Sequence, residues 1–307
     1  MITLNKISEL RAQLAVWRGQ GERIALVPSM GNLHAGHISL VDIARQQAER
    51  CVATIFVNPT QFGPGEDYDS YPRTLEADAE KLQAAGVDLL FAPPVAEVYP
   101  WMAAQNRAES AENAPYLATT VSVPQITDFL CGASRPGHFD GVSTVVSILF
   151  NWVQPDVAIF GKKDYQQLAV IRKMVADMHV PVEVIGADIC READGLAMSS
   201  RNQYLTASER KIAPELQQTL QGMARSLAGG HRDSVSLQRL CDDASAQLNA
   251  AGFRVDYLEI RKPTLQLPDN PDYGKLVLLA AAWLGQARLL DNLEVAATMR
   301  GAGEETV

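Results

Sequence analysis

The chain reads as an α/β protein, a doubly wound parallel sheet followed by a second, smaller α+β domain at the C-terminus. Three observations predict this. Short apolar, β-rich runs alternate with helical stretches through the first two-thirds of the sequence, and the least ordinary residue patterns fall directly after those runs. Beyond residue 190 the alternation gives way to two polar helices and then three strands.

The apolar run 24–27 is the first strand, and a helix follows over about 37–50. A second strand covers 51–57. Residues 74–85 place Leu75, Ala79 and Leu82 on one helical face, and after Gly86 the run 87–91 is a strand. Helix 142–153, strand 156–160, helix 165–178 and strand 182–187 continue the pattern. Such alternation builds a parallel sheet with helices on both faces, Rossmann-like over residues 1–189, and ligands sit at the carboxyl ends of its strands. Residues 102–117, rich in Ala, Asn, Glu and Gln with weak periodicity, read as a mobile surface insertion. In the second domain, 190–307, a helix over 208–227, a Gly229-Gly230 break and a helix over 236–250 precede strands near 255–260, 275–282 and 287–290. The tail 301–307 is small, polar and acidic, and reads as frayed.

Composition bounds the function. The 307 residues are 47% hydrophobic and 21% charged, as in a soluble globular protein of two domains. The longest apolar segment, 276–284, is far short of a membrane span, and the N-terminus lacks a basic region followed by an apolar one, so a cytoplasmic protein with no membrane partner is expected. Cys51, Cys131, Cys190 and Cys241 are scattered, as in a reduced compartment without a structural zinc. A net charge of −9 argues against a nucleic-acid partner, so any anionic ligand must meet locally concentrated positive groups.

Five segments carry chemistry. Pro28-Ser29-Met30-Gly31-Asn32-Leu33-His34-Ala35-Gly36-His37 takes a strand through a glycine turn into a helix start, the place where α/β proteins hold phosphate. Gly31 permits the tight turn, Gly36 lets a ligand approach the backbone, and the helix N-terminus disfavours protonation of His34 and His37, which would act as neutral donors to phosphate oxygens. An ordinary turn with two solvated histidines fits the same residues; a zinc site would need a third ligand that nothing nearby supplies. In Asn58-Pro59-Thr60-Gln61-Phe62-Gly63, with Tyr71-Pro72-Arg73 beyond it, two amides able to donate and accept suit a hydroxy acid, although simple turn chemistry explains them equally. Arg135-Pro136-Gly137-His138-Phe139-Asp140-Gly141 sets a guanidinium and an imidazole before a helix, for carboxylate or phosphate or for a surface ion pair. Gly161-Lys162-Lys163-Asp164-Tyr165-Gln166-Gln167 could be a Lys pair on a solvated helix start, yet there the lysines oppose the helix dipole, which points to an anion. Met198-Ser199-Ser200-Arg201-Asn202, near the domain junction, suits a polyphosphate clamp or a solvent-facing turn.

Together these segments resemble the pantothenate synthetase (pantoate–β-alanine ligase) family, from Val27 to about Asn202; beyond residue 205 only the general layout is similar. The His-x-Gly-His element alone is shared with the wider nucleotidyltransferase superfamily. The resemblance implies activation of (R)-pantoate by MgATP to pantoyl adenylate and pyrophosphate, then displacement of AMP by β-alanine to give pantothenate. It implies that Met30, Gly31, Asn32, Leu33, His34, Ala35, Gly36 and His37 contact ATP, with His37 as proton donor and His34, Lys163 and Arg201 as further catalytic groups. Gly161, Lys162, Lys163, Asp164, Met198, Ser199, Ser200 and Arg201 would close over ribose and phosphates, and the backbone near Cys190 would meet adenine. Between the lysines, the family's G-x-K-D pattern makes Lys163 functional. Gln61 and Gln167 would hold pantoate, with Gln61 also meeting β-alanine and Asn58, Tyr71, Arg135 and His138 in support. No protein ligand for Mg2+ is assigned, residues 190–307 would act as a lid, and a homodimer is expected from the family. Ser29 stands where the family has threonine and Asn32 where it has a small residue; the 102–115 segment is longer than usual. The alternatives are a nucleotidyltransferase acting on a phosphate acceptor, which would need further basic residues, and a non-catalytic nucleotide sensor.

Overall fold

The computed structural model describes residues 1–105, 118–228, 234–268 and 274–296; the predicted insertion from 106 onward, the Gly229-Gly230 break and the tail 301–307 lie outside them. The chain divides into two compact units, Met1–Cys190 and Arg191–Val307.

In the first unit, β1 (Ile2–Leu4), β2 (Ile24–Ser29), β3 (Arg50–Ile55), β4 (Leu89–Phe91), β5 (Val157–Gly161) and β6 (Glu183–Ala187) form one parallel sheet in the order β1-β4-β3-β2-β5-β6. Helices α1 (Ile7–Gly19), α2 (Ala35–Gln47), α3 (Leu75–Ala84), α4 (Val95–Val98), α5 (Pro100–Gln105), α6 (Cys131–Ser134), α7 (His138–Val153) and α8 (Tyr165–Asp177) connect them. The predicted doubly wound sheet is therefore present. Its central strands are continuous apolar runs, because helices cover both faces; Ile24, Leu26, Val52, Leu90 and Ile159 are fully buried.

The chain leaves β2 for β3 on one side, and later returns to lay β5 against the other. That reversal is a topological switch point, where a crevice opens beyond the strand ends. The loops after β2 and β5 carry the His34-His37 and Lys162–Asp164 segments.

Several predicted bounds shift. The first motif's helix starts at Ala35 and ends at Gln47, with Arg50 already in β3, and α7 starts at His138, four residues before the predicted 142. The strand β1 and helix α1 were not predicted: three residues are too few to show alternation, and only Leu10, Leu14 and Trp17 of α1 are buried.

The second unit has a three-stranded antiparallel sheet, β7 (Arg254–Arg261), β8 (Leu276–Leu284) and β9 (Ala287–Val295), in sequence order. The single helix expected over 208–227 is two, α9 (Ala207–Ile212) and α10 (Glu215–Ala228), because Pro214 cannot donate to the preceding turn. With α11 (Ser234–Ala250) they cover the sheet, and Leu216, Leu220, Met223 and Leu227 of α10 join Leu258, Leu278 and Leu289 in one core. Each such leucine contributes about 1.5–3 kcal/mol by burial.

Candidate active site

The loop after β2 is built around a buried carboxylate. Asp78 on α3 is fully buried and accepts the backbone N–H of Asn32 at 2.7 Å and of Leu33 at 2.8 Å, with the Thr74 hydroxyl at 2.9 Å. Lys81, one turn further along α3, donates to the Leu33 carbonyl at 2.7 Å. Gly31 and Asn32 both have positive φ, +85° and +50°, and a Cβ on Gly31 would stand 3.1 Å from Asp78 Oδ2. Thus α3 holds the loop and the loop aims the histidines.

His34 is not in the helix but caps it. Its Nδ1 accepts Gly36 N–H at 3.1 Å, while His37 Nδ1 accepts His34 N–H at 3.2 Å. The two rings lie 4.1 Å apart between centroids. Because each Nδ1 faces an amide that can only donate, each neutral ring carries its proton on Nε2 and offers one N–H donor. Burial, then the charges of Lys163 and Lys81, push the His34 pKa down to about 4; burial, then His34 and Lys163, push His37 down to about 3. The expected neutrality is present, but desolvation rather than the helix dipole is its first cause. Gly36 likewise has a reason nearer than a ligand: a Cβ there would meet the His34 ring at 3.0 Å and the Cys190 Cβ at 3.3 Å.

A second cluster surrounds Gln61. Asn58, 1% exposed, donates from Nδ2 to Gln61 Oε1 at 3.0 Å and to the Gly141 carbonyl at 3.1 Å. Gln61 Nε2 donates to Met30 Sδ at 3.0 Å, which joins this cluster to the first loop. Its backbone carbonyl accepts His138 Nδ1–H at 2.8 Å and Arg135 at 3.3 Å. His138 therefore has the opposite tautomer, and its Nε2 accepts from Arg135 Nη1 at 3.1 Å. Burial, then Arg135, push its pKa down to about 4. Arg135 also grips Glu66 through Nε at 2.7 Å and Nη2 at 2.5 Å. Burial pushes the Glu66 carboxyl up, but Arg135, together with the Gly63 backbone and the His138 charge, makes the net shift downward. The guanidinium expected for carboxylate or phosphate is thus engaged inside the protein.

Lys163 ion-pairs with Asp164 at 3.9 Å, and Lys162 is bonded to Asp188 at 2.8 Å. The Asp164 charge acts on His34, His37 and His138 alike, so the loop after β5 lies where both clusters meet. Among the described residues no group of three or more His, Cys, Asp or Glu could hold a metal ion.

A family model for pantoate-beta-alanine ligase matches residues 2–294. The chain belongs to the pantoate–β-alanine ligase family. It is 55% identical to the pantothenate synthetase of Pseudomonas entomophila over 95% of this chain and 97% of that one. For that of Shewanella oneidensis the values are 53%, 95% and 99%. Among solved structures, pantothenate synthetase from Thermus thermophilus superposes with a TM-score of 0.85 at 46% identity, covering 97% of this chain and 100% of that one. The Francisella tularensis pantoate-beta-alanine ligase, solved as a complex with beta-gamma ATP and beta-alanine, gives 0.75 at 31% identity, covering 95% and 97%. Membership makes this chain an ATP-dependent ligase of the pantothenate pathway with the fold described above.

Of the residues the family pattern singled out, the first unit brings together Met30, Gly31, His34, His37, Asn58, Gln61, Arg135, His138, Lys163 and Asp164 through the bonds and charges above. Tyr71 is buried edge-on against Phe62, with ring centroids 5.9 Å apart. Gln167 is half-buried at the third position of α8, and among the described residues no hydrogen bond ties it to Gln61. Met198, Ser199, Ser200 and Arg201 lie in the second unit, all half-buried, where Ser199 Oγ accepts Arg201 N–H at 3.3 Å. There Arg191 is bidentate to the buried Asp291 at 2.7 and 2.8 Å and reaches the Gly195 carbonyl at 3.0 Å, fixing the hairpin that leads into Met198.

The motifs missed Asp78, Lys81, Glu66 and Tyr99. A signal existed for Asp78: it lies one turn before Leu82 on the buried face of α3, where a carboxylate needs a bonding reason, whereas Leu75, predicted for that face, is 45% exposed. Gly141 is explained only by three dimensions, since a Cβ would stand 2.4 Å from the Thr60 carbonyl oxygen.

Proposed function

We infer that this protein joins (R)-pantoate to β-alanine with MgATP as the activating substrate, through pantoyl adenylate, and that its two clusters divide the work. The observation that carries this reading is the pair of neutral imidazoles at the head of α2, each with an Nε2–H donor, beside Lys163. A carboxylate oxygen of pantoate bonds to the α-phosphorus as the bond to the bridging oxygen breaks and pyrophosphate leaves. The negative charge on the phosphate oxygens is met by two fixed donors and a flexible cation, with little covalent work for the protein. His37 acts as the proton donor in this site. The β-alanine amine then attacks the acyl carbon, the mixed anhydride opens, and AMP departs.

Gln61 holds pantoate and later β-alanine, Gln167 assists with pantoate, and Asn58, Tyr71, Arg135 and His138 support them. Mg2+ would arrive with ATP, and no protein ligand is assigned to it. By the family resemblance, residues 190–307 are the lid that carries Met198, Ser199, Ser200 and Arg201 to ATP, the backbone near Cys190 meets adenine, and the protein works as a cytosolic homodimer. A phosphate acceptor in place of pantoate is disfavoured because Arg135, the spare cation of the acid cluster, is already bound to Glu66.

The test is AMP release and ATP–pyrophosphate exchange across acids and amines. Exchange is expected only with pantoate, and pantothenate only once β-alanine is added. Equal turnover without pantoate would refute the reading.

A further inference from the structure

Tyr99 is a buried polar group with no place in the motifs or in the reaction. It follows α4 and is 2% exposed. Its ring lies 6.0 Å from Phe56 and 5.8 Å from Trp101 between centroids, so apolar contacts hold the side chain independently of its hydroxyl. That hydroxyl donates to Asn58 Oδ1 at 2.9 Å, where Thr60 Oγ1 at 2.9 Å and Thr60 N–H at 3.3 Å also converge. Burial raises the phenol's pKa, which keeps the donor protonated.

With its oxygen ringed by donors, Asn58 must turn its NH2 the other way. There Nδ2 finds two acceptors, the Gly141 carbonyl and Gln61 Oε1. The ends of the Gln61 carboxamide are thereby assigned: its oxygen is engaged by Asn58, and its NH2 faces Met30 Sδ. A thioether is a weak acceptor, so the Gln61 amide hydrogens retain bonding capacity for a stronger one.

We propose that Tyr99 is a positioning residue for the acid substrate, holding Gln61 through Asn58 with its NH2 presented, so that the pocket selects an oxygen acceptor and rejects a donor. This rests on the assignment of Gln61 to pantoate. The chain of bonds is directional: a hydroxyl sets one amide, and that amide sets the next.

The test compares Tyr99→Phe, Gln61→Ala and the double variant by pantoate-dependent ATP–pyrophosphate exchange. Tyr99→Phe keeps the ring and is expected to raise KM for pantoate about 3–10-fold, the loss of one hydrogen bond, with KM for ATP and Tm nearly unchanged. Added to Gln61→Ala, it should do nothing further, because its effect passes through Gln61. Thr60→Val removes another hydroxyl donor from the same Oδ1 and should shift pantoate KM in the same direction, so the proposal stays testable even if Tyr99→Phe folds poorly. An equal rise in both KM values, or the same penalty with and without Gln61, would show a merely structural role and overturn the proposal. If Gln61→Ala leaves pantoate KM unchanged, the assignment of Gln61 fails and the proposal with it. If Gln61→Ala weakens pantoate while Tyr99→Phe and Thr60→Val are silent, only the proposal fails.

Discussion

At the head of α2, His34 and His37 each accept a backbone N–H on Nδ1 and keep a proton on Nε2. At the head of α7 the arrangement is inverted: His138 gives its Nδ1 proton to the Gln61 carbonyl and accepts Arg135 on Nε2. All three rings are neutral and held well below the usual imidazole pKa, chiefly by burial. The difference is the partner of the second nitrogen. Where the backbone takes the acceptor nitrogen, the donor is left for a ligand; where protein groups take both, the ring becomes a brace. A motif of the form x-x-His at a helix start thus has two outcomes, and the hydrogen-bond partners decide between them.

The sharpest way to break this contrast is to remove the ring with an open donor. His37→Ala is expected to lower pantoate-dependent ATP–pyrophosphate exchange by roughly 10²–10³-fold, the usual effect of deleting a fixed donor to a developing charge. The lost cap should cost only about 1 kcal/mol, seen as a drop of a few degrees in Tm. Near-normal exchange by His37→Ala would end the claim that the α2 pair serves the phosphate.

The next variant acts on the loop that aims the pair. Asp78→Ala strands the N–H groups of Asn32 and Leu33 in the interior, for a loss of about 2–4 kcal/mol in urea denaturation together with weakened ATP binding. An unchanged KM for ATP in a protein that still folds would show that the loop keeps its shape without Asp78.

How much of this could be read from residues alone follows from the range of the interactions. The central strands and the switch-point loops were legible because buried parallel strands are unbroken apolar runs and the glycines mark their ends. His34 and His37 stood out because they lie beside those glycines. The long-range partners of the two clusters are far away in sequence: Asp78 is 45 residues from Leu33, whose N–H it accepts, and Tyr99 is 41 residues from Asn58. Arg135 illustrates the limit best. Its segment looked like an anion site, and only the placement of Glu66, 69 residues away, shows the guanidinium already occupied. The break at Pro214 is a local signal of a different kind: a helix read over 208–227 runs through a proline, and the structure ends α9 before it and starts α10 after it.

The brace side of the contrast is tested by Arg135→Ala. It leaves Glu66 half-buried and uncompensated and removes the donor to His138, for an expected loss of about 1–3 kcal/mol of stability. Pantoate KM should rise several-fold through the loosened Gln61 carbonyl, with KM for ATP little changed. A larger rise for ATP than for pantoate would place Arg135 with the phosphate groups instead.

The smallest expected effect is on pH, and here the two regions should agree. The His37 pKa lies near 3 and that of His138 near 4 in the folded protein, against about 6.5 in an unfolded chain. Below pH 6.5 the unfolded chain therefore binds protons that the folded one refuses. The stability tied to these rings is complete above pH 6.5 and declines as pH falls toward 4, by less than about 1 kcal/mol per ring at pH 6. Urea denaturation at pH 7.5 and 6 should show this modest loss, and His138→Gln should reduce the difference between the two pH values by one ring's portion, whatever it does to absolute stability. Exchange activity measured over the same interval should show no fall from protonation of His37, since its ring stays neutral throughout. Greater stability at pH 6 than at 7.5 would mean that the folded protein charges these rings readily, and a neutral donor pair at the head of α2 would then be untenable.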